Sequence, residues 1–167
     1  MSSRQTLSFL NGIHRFNYRV AGVVVRDNHV LVCREDEDDF VLLPGGRVEF
    51  GEASDKALYR EIEEELMCAA RVERLLFSAE NFFEREGEHY HEIAHYYAVT
   101  LPEEFPFEIN GPCLVAHDEG HVLTFDWVPV EVQALERFNL LPKWIRRRFV
   151  DLPARAEHVI VDERQKP

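Results

Sequence analysis

Residues 43–67 read LPGGRVEFGEASDKALYREIEEELM, and the second half of that stretch crowds Glu61, Glu63, Glu64 and Glu65 around one cation, Arg60. The segment EASDKALYREIEEEL is expected to be helical. Ser54 or Asp55 is available as a cap, and Leu58, Ile62 and Leu66 recur every fourth residue. Like charges three or four residues apart on a helix repel by a few tenths of a kcal/mol per pair. Carboxylates near a helix C-terminus oppose the macrodipole by a further ~0.3–1 kcal/mol each. At roughly 100° per residue, Glu61, Glu64 and Glu65 share a sector about 100° wide beside Ala57 and the apolar stripe, while Glu63 points away. Three converging carboxylates make a hard oxygen site suited to Mg²⁺ or Mn²⁺. A bound cation would relieve the crowding.

The preceding loop adds a second ingredient. Gly45 and Gly46 allow a backbone to approach a ligand closely, and Gly51 stands just ahead of the helix. Gly46, Glu52 and the run Arg60-Glu61-Ile62-Glu63-Glu64-Glu65 are spaced as in the Nudix box, G-x5-E-x7-R-E-U-x-E-E-x-G-U, which the sequence resembles over Gly46–Cys68. At average residue frequencies such a match arises by chance in roughly one chain in 100,000. The segment FDWVPV is similar to one that often follows the box in that family.

The resemblance implies an α+β fold, an α/β/α sandwich around a mixed sheet. It also implies hydrolysis of a nucleoside diphosphate linked to another moiety: a nucleoside triphosphate, ADP-ribose, a nucleotide sugar or a dinucleoside polyphosphate. By position, Glu61, Glu64 and Glu65 would ligate Mg²⁺ or Mn²⁺ together with the Gly45 carbonyl, and Glu61, Glu64 and Arg60 would belong to the catalytic set. Gly45, Gly46 and Arg47 are assigned to cofactor binding, and Arg60 would pair with Glu52 to brace loop against helix. Family members commonly draw a further glutamate from outside the box; Glu119, in the loop AHDEGH beside Asp118, is the candidate, ahead of Glu92. A homodimer is a further expectation. Met67 departs from the pattern, which has Gly there. Either the helix runs on through MCAA, or Met67 takes a left-handed conformation at ~1–2 kcal/mol.

The remainder of the chain sets bounds. Its 167 residues suit one domain, 1–167, with 1–17 as an N-terminal extension or strand. With 31 acidic against 19 basic residues the formal charge is -12, which disfavours polymeric nucleic acid. No apolar run approaches the ~18–20 residues of a membrane span, and the first residues lack a secretory pattern. Cys33, Cys68 and Cys113 have no paired spacing and read as reduced thiols of a cytoplasmic protein. Strands are expected at Tyr18–Asp27, His29–Glu35, Ala70–Phe83, His89–Leu101 and Gly120–Val130, with a hairpin at Asp27-Asn28. PVEVQALERF and LPKWIRRRF read as helices, EHVIVDE as a last strand, and KWIRRRF as the solvated face of a short helix.

Other groupings carry less. On a strand, His91 and His95 lie ~13 Å apart, so HYHEIAH does not form a zinc site. Glu92 faces the other way and reads as a surface carboxylate. The main alternative to an enzyme is a nucleotide-binding sensor on the same scaffold, a reading that usually goes with lost box carboxylates. A catalyst acting on an RNA 5′ end is disfavoured by the acidic charge.

Overall fold

In the computed structural model residues 5–164 are described, so the ends of the expected domain, 1–4 and 165–167, lie outside the described residues. In chain order the elements are β1 (Ser8–Asn11), β2 (His14–Val23), β3 (Val25–Arg26), β4 (His29–Glu35), β5 (Gly45–Arg47), α1 (Ser54–Leu66), β6 (Arg71–Arg85) and β7 (Glu88–Thr100). They continue with β8 (Leu114–Asp118), β9 (His121–Pro129), α2 (Val132–Arg137), a 3₁₀ turn (Lys143–Arg147) and β10 (Glu157–Asp162). A mixed sheet runs β1-β2-β7-β6-β10 with β5 also on β2, and an antiparallel sheet runs β3-β4-β9-β8. β2 pairs parallel with β7, and β10 parallel with β6. This is the α+β arrangement with a mixed sheet that the box implied.

The strand expected over Tyr18–Asp27 is divided. β2 belongs to the mixed sheet and β3 to the antiparallel one, with the break at Val24. Val20 to Val24 are all buried apart from Gly22's lack of a side chain, so this stretch meets core on both faces as the chain passes between sheets. The Asp27-Asn28 turn forms as expected, with φ 45° and 58° as a two-residue hairpin requires.

Successive strand residues point to opposite faces, and β2 shows the consequence. Val20 packs with Ala57, Leu58, Ile62 and Leu66 of α1 and with Leu31 and Phe125 of the second sheet. Its neighbour Ala21 packs in the other cluster, with Phe77, Ala94 and Tyr96, where Leu135 of α2 and Ile145 of the 3₁₀ turn also lie. Helical segments therefore cover both sides. No helix among the described residues is long and apolar enough to cross a membrane.

Several local readings need correction. Neither Ser54 nor Asp55 caps α1; the N-cap is Ala53 without a side-chain bond, and the Ser54 hydroxyl instead meets the Tyr97 hydroxyl at 2.6 Å. Met67 resolves the alternatives at the other end: it sits at φ 50°, ψ 36°, and its N–H donates to the Glu63 carbonyl. Met67 is 73% exposed, so its side chain escapes into solvent while the backbone turns. AHDEGH is not an open loop: Ala116, His117 and Asp118 belong to β8, leaving a Glu119-Gly120 turn, both at positive φ, into β9. KWIRRRF is not simply a solvated face. Arg146 is buried and donates to the Leu140 carbonyl (2.7 Å) and Asn139 Oδ1 (3.0 Å), and Arg148 lies 4.8 Å from the Phe77 ring centre. Charge composition alone does not distinguish a solvated arginine from one whose donors satisfy oxygens in the turn before it.

Candidate functional site

The box places its carboxylates through packing. Leu58, Ile62 and Leu66 anchor one stripe of α1 in the core, which carries the adjoining stripe to the rim of a cavity of about 1120 Å³. Glu61, Glu64 and Glu65 all line that cavity; Glu63 is exposed and does not. The helical phase expected from sequence therefore holds.

Gly45 is sterically required, and Gly46 makes room for a side chain. A Cβ on Gly45 would lie 2.1 Å from the Val20 carbonyl oxygen of the neighbouring strand. A Cβ on Gly46 would fall 2.3 to 2.5 Å from the Glu61 carboxyl atoms. Glu61 thus lies directly on the loop backbone, a position available only over glycine.

Arg60 holds this packing together. Its Nε and Nη2 donate to the two oxygens of Glu52, each at 2.9 Å, and Nη1 donates to Glu61 at 2.8 Å and Glu64 at 3.4 Å. Nη2 also reaches the Arg47 carbonyl at 3.2 Å, and Glu52 in turn accepts the Glu49 N–H at 3.2 Å. The expected Arg60–Glu52 brace is therefore present as a two-pronged pair, the strong form of this contact. These bonds, that to Glu52 foremost, raise the Arg60 pKa and keep the guanidinium charged.

Burial raises the Glu61 pKa, with Arg60 opposing it. The effect is larger at Glu65, which is only 8% exposed and is pushed up to about 8 by burial, with partial relief from Arg19 and the Gly45 N–H. Its Oε2 is fully buried and has no hydrogen-bond partner among the described residues. Buried polar atoms nearly always find a partner, so such an oxygen on a cavity wall invites one from outside the chain. A divalent cation fits this donor set: hard carboxylate oxygens, one of them uncompensated, next to a glycine-lined backbone.

The second wall comes from the β8–β9 hairpin. The Val122 N–H donates to Asp36 Oδ1 at 2.9 Å, and His121 Nδ1 lies 2.7 Å from Asp36 Oδ2, which ties the hairpin tip to the loop after β4. Asp118 and Glu119 thereby line the same cavity as the box carboxylates. Asp118 is close enough for its charge to raise the Glu65 pKa.

The third wall was not foreseen. Glu92, expected on the surface, is 9% exposed and lines the cavity. In register it falls between Asn17 of β2 and Asn81 of β6. Asn17 Nδ2 donates to Glu92 Oε2 at 2.8 Å and Asn81 Nδ2 to Oε1 at 3.3 Å. Arg47 Nε donates to Asn17 Oδ1 at 3.0 Å, so Arg47 turns toward this group. Arg19 was also missed: its guanidinium donates to the Leu43 carbonyl at 3.2 Å and its charge reaches both Glu61 and Glu65. The available signal was polar Asn17 and Arg19 alternating on a strand face that continues as Ala21 and Val23. The histidines of HYHEIAH lie apart: His91 packs on Phe82, and His95 Nδ1 meets the Tyr18 hydroxyl at 3.0 Å, on the sheet face opposite Glu92.

Comparison with known proteins is consistent with this geometry. The ADP-ribose pyrophosphatase of Methanocaldococcus jannaschii is 38% identical over 60 residues, 34% of this chain, and the match spans only 36% of that relative's length. The solution structure of the E. coli ORF135 protein aligns with 26% identity and a TM-score of 0.50, covering 83% of this chain and 91% of that one. The mutator MutT protein of Bacillus halodurans, at 17% identity, shares the fold with a TM-score of 0.59, over 90% and 93% of the two chains. A family model described as the NUDIX domain matches residues 17–148, from β2 through the 3₁₀ turn and so across the whole site, and the chain belongs to that family.

Proposed function

We propose that this protein is a divalent-metal-dependent hydrolase that cleaves a phosphoanhydride bond in a nucleoside diphosphate linked to another moiety. The observation that carries the reading is the buried oxygen of Glu65, without a hydrogen-bond partner among the described residues, on a wall it shares with Glu61 and Glu64. Glu61, Glu64, Glu65 and the Gly45 carbonyl would hold Mg²⁺ or Mn²⁺. When bound, such an ion polarises a phosphoryl oxygen, offsets developing charge and acidifies a water.

The chain's own groups do the rest. Arg60 fixes Glu61 against Gly46 and holds the loop to the helix, which keeps the carboxylates oriented before substrate arrives. Arg19, beside Glu61 and Glu65, supplies positive charge where a phosphate chain would lie. Glu119, at the hairpin tip and lining the same cavity, is the group assigned here to accept a proton from an attacking water. Small nucleotides suit the cavity; the likeness to an ADP-ribose pyrophosphatase supports the general substrate class over part of the chain. The unpaired cysteines accord with a cytoplasmic setting.

The test is a panel: purified protein with Mg²⁺, given nucleoside triphosphates, ADP-ribose, nucleotide sugars and dinucleoside polyphosphates, with products resolved by chromatography. Phosphoanhydride cleavage of at least one group, abolished by excess chelator, is the expected result. Full turnover in chelator would overturn the metal assignment. Glu119→Gln should lower kcat with KM nearly unchanged, because a general base acts mainly in the transition state.

A further inference from the structure

Glu92 is held differently from the box carboxylates. Trp144 Nε1 and Arg47 Nε are donors only, so the atoms they meet on Asn81 (3.3 Å) and Asn17 (3.0 Å) must be the amide oxygens. Each amide is thereby locked with its NH₂ end toward Glu92, and the two amides hold the carboxylate from either side. Both oxygens stay acceptors, with lone pairs to spare on the cavity wall.

The position relative to the box matters too. Asn17 pairs with Glu92, whereas Ala21 on the same strand pairs with Gly45. The two levels are ~13 Å apart at 3.3 Å per residue, with Arg19 between them. That is the reach of a nucleoside carrying a short phosphate chain. Beside Glu92 the rings of Phe83 and Tyr90 stack on each other at 4.6 Å, and both line the cavity, an aromatic wall against which a planar base can pack.

We infer that Glu92, clamped by Asn17 and Asn81, is the specificity-determining residue for the substrate's base, and that it selects guanine. The inference rests on the nucleotide reading above. A fixed carboxylate offers two adjacent acceptors and no donor. Among the common bases, only guanine presents two adjacent donors, N1–H and the 2-amino group. Adenine would set its N1 lone pair against a carboxylate oxygen, and uracil has a single donor flanked by acceptors. Hypoxanthine lacks the second donor. The remaining N–H of the Asn17 amide is available to the guanine 6-oxygen.

The experiment measures binding without hydrolysis: calorimetric titration of the full chain with guanosine, inosine and adenosine 5′-monophosphates, none of which has an anhydride to cleave. Guanosine monophosphate should bind about 10-fold more tightly than inosine monophosphate, the cost of one unpaired acceptor, and about 100-fold more tightly than adenosine monophosphate. Glu92→Gln, which presents one donor and one acceptor, should erase the guanine preference and move the ranking toward adenine. Should that variant not fold, the wild-type ranking still decides. Equal affinities for the three bases, or no measurable binding of any, overturn the assignment. So does a 2′,3′-dideoxyguanosine monophosphate that loses its affinity, since the carboxylate would then be reading the ribose diol. A base ranking in a protein that cleaves nothing would sink the hydrolase reading and leave this one standing; hydrolysis without base discrimination would do the reverse.

Discussion

Glu65 and Glu92 line one cavity and are almost equally buried, at 8% and 9% exposure. Their surroundings oppose each other. Glu92 receives an amide N–H on each oxygen, whereas Glu65 has one oxygen without a partner among the described residues and is pushed up to about 8 by burial. Burial by itself therefore says little about what a carboxylate does. A satisfied carboxylate is a fixed acceptor, ready to read a neutral hydrogen-bonding edge. An unsatisfied one, with Glu61 and Glu64 beside it, is a charge awaiting a counterion.

The largest expected effect breaks the unsatisfied side. Glu64→Gln or Glu65→Gln should lower kcat by at least about 10²-fold with Mg²⁺ present, since charge stabilisation at the reacting phosphoryl is commonly worth that much. Steady-state kinetics on the best substrate of the panel will show it. Activity retained within about threefold in both variants would remove the carboxylates from the mechanism.

The same contrast predicts a pH dependence in chelator. The folded Glu65 pKa of about 8 lies above its ordinary value of 4.5. Between those values the folded chain binds more protons than the unfolded chain, so stability falls as pH rises through the window and levels off above it. Glu65→Gln removes the titrating group. Thermal melts in chelator should show wild type losing ground to the variant between about pH 5 and about pH 8. Parallel melting curves would mean that Glu65 finds relief the structure does not show.

How much of this was readable in the sequence follows from the type of interaction. The helix and the phase of Glu61, Glu64 and Glu65 depend on spacing within a short stretch, and spacing is legible. The same holds for the Asp27-Asn28 turn. The Arg60–Glu52 brace was legible only through the resemblance to the Nudix box. Glu92 was misread because its partners are 75 residues away on β2 and 11 residues away on β6. Only the parallel pairing of β2 with β7 brings Asn17 to it, and no local pattern announces that register. Arg146 failed for a different reason: its acceptors are close in sequence, at Asn139 and Leu140, but they lie in the turn before the 3₁₀ segment and follow no helical spacing. Ser54 failed through competition, since its hydroxyl had a better-placed partner in Tyr97 than in the helix backbone.

A smaller effect tests the framework beneath the site. Met67 holds a left-handed conformation at φ 50° where the family pattern has Gly. Met67→Gly relieves that conformation at ~1–2 kcal/mol but gives the unfolded chain more freedom. The net expectation is a gain of about 0.5–1 kcal/mol in denaturant melts, with kinetics unchanged. A loss of stability would show that the backbone at Met67 is not strained.

The smallest expected effect is the internal control for the whole comparison. Glu63 lies on the same helix as Glu64 and Glu65 and carries the same charge, but it is exposed and lies outside the cavity wall. Its carbonyl accepts the Met67 N–H that ends the helix, a bond any residue at that position makes. Glu63→Gln therefore removes one charge near the helix C-terminus and no contact with the site. Stability should rise by no more than about 0.5 kcal/mol, the usual span of a surface change. Turnover should stay within about threefold of wild type. If Glu63→Gln matched the loss in Glu64→Gln, general acidity around the helix would be the operative property. The distinction between a carboxylate on the cavity wall and one outside it would then have no bearing on catalysis.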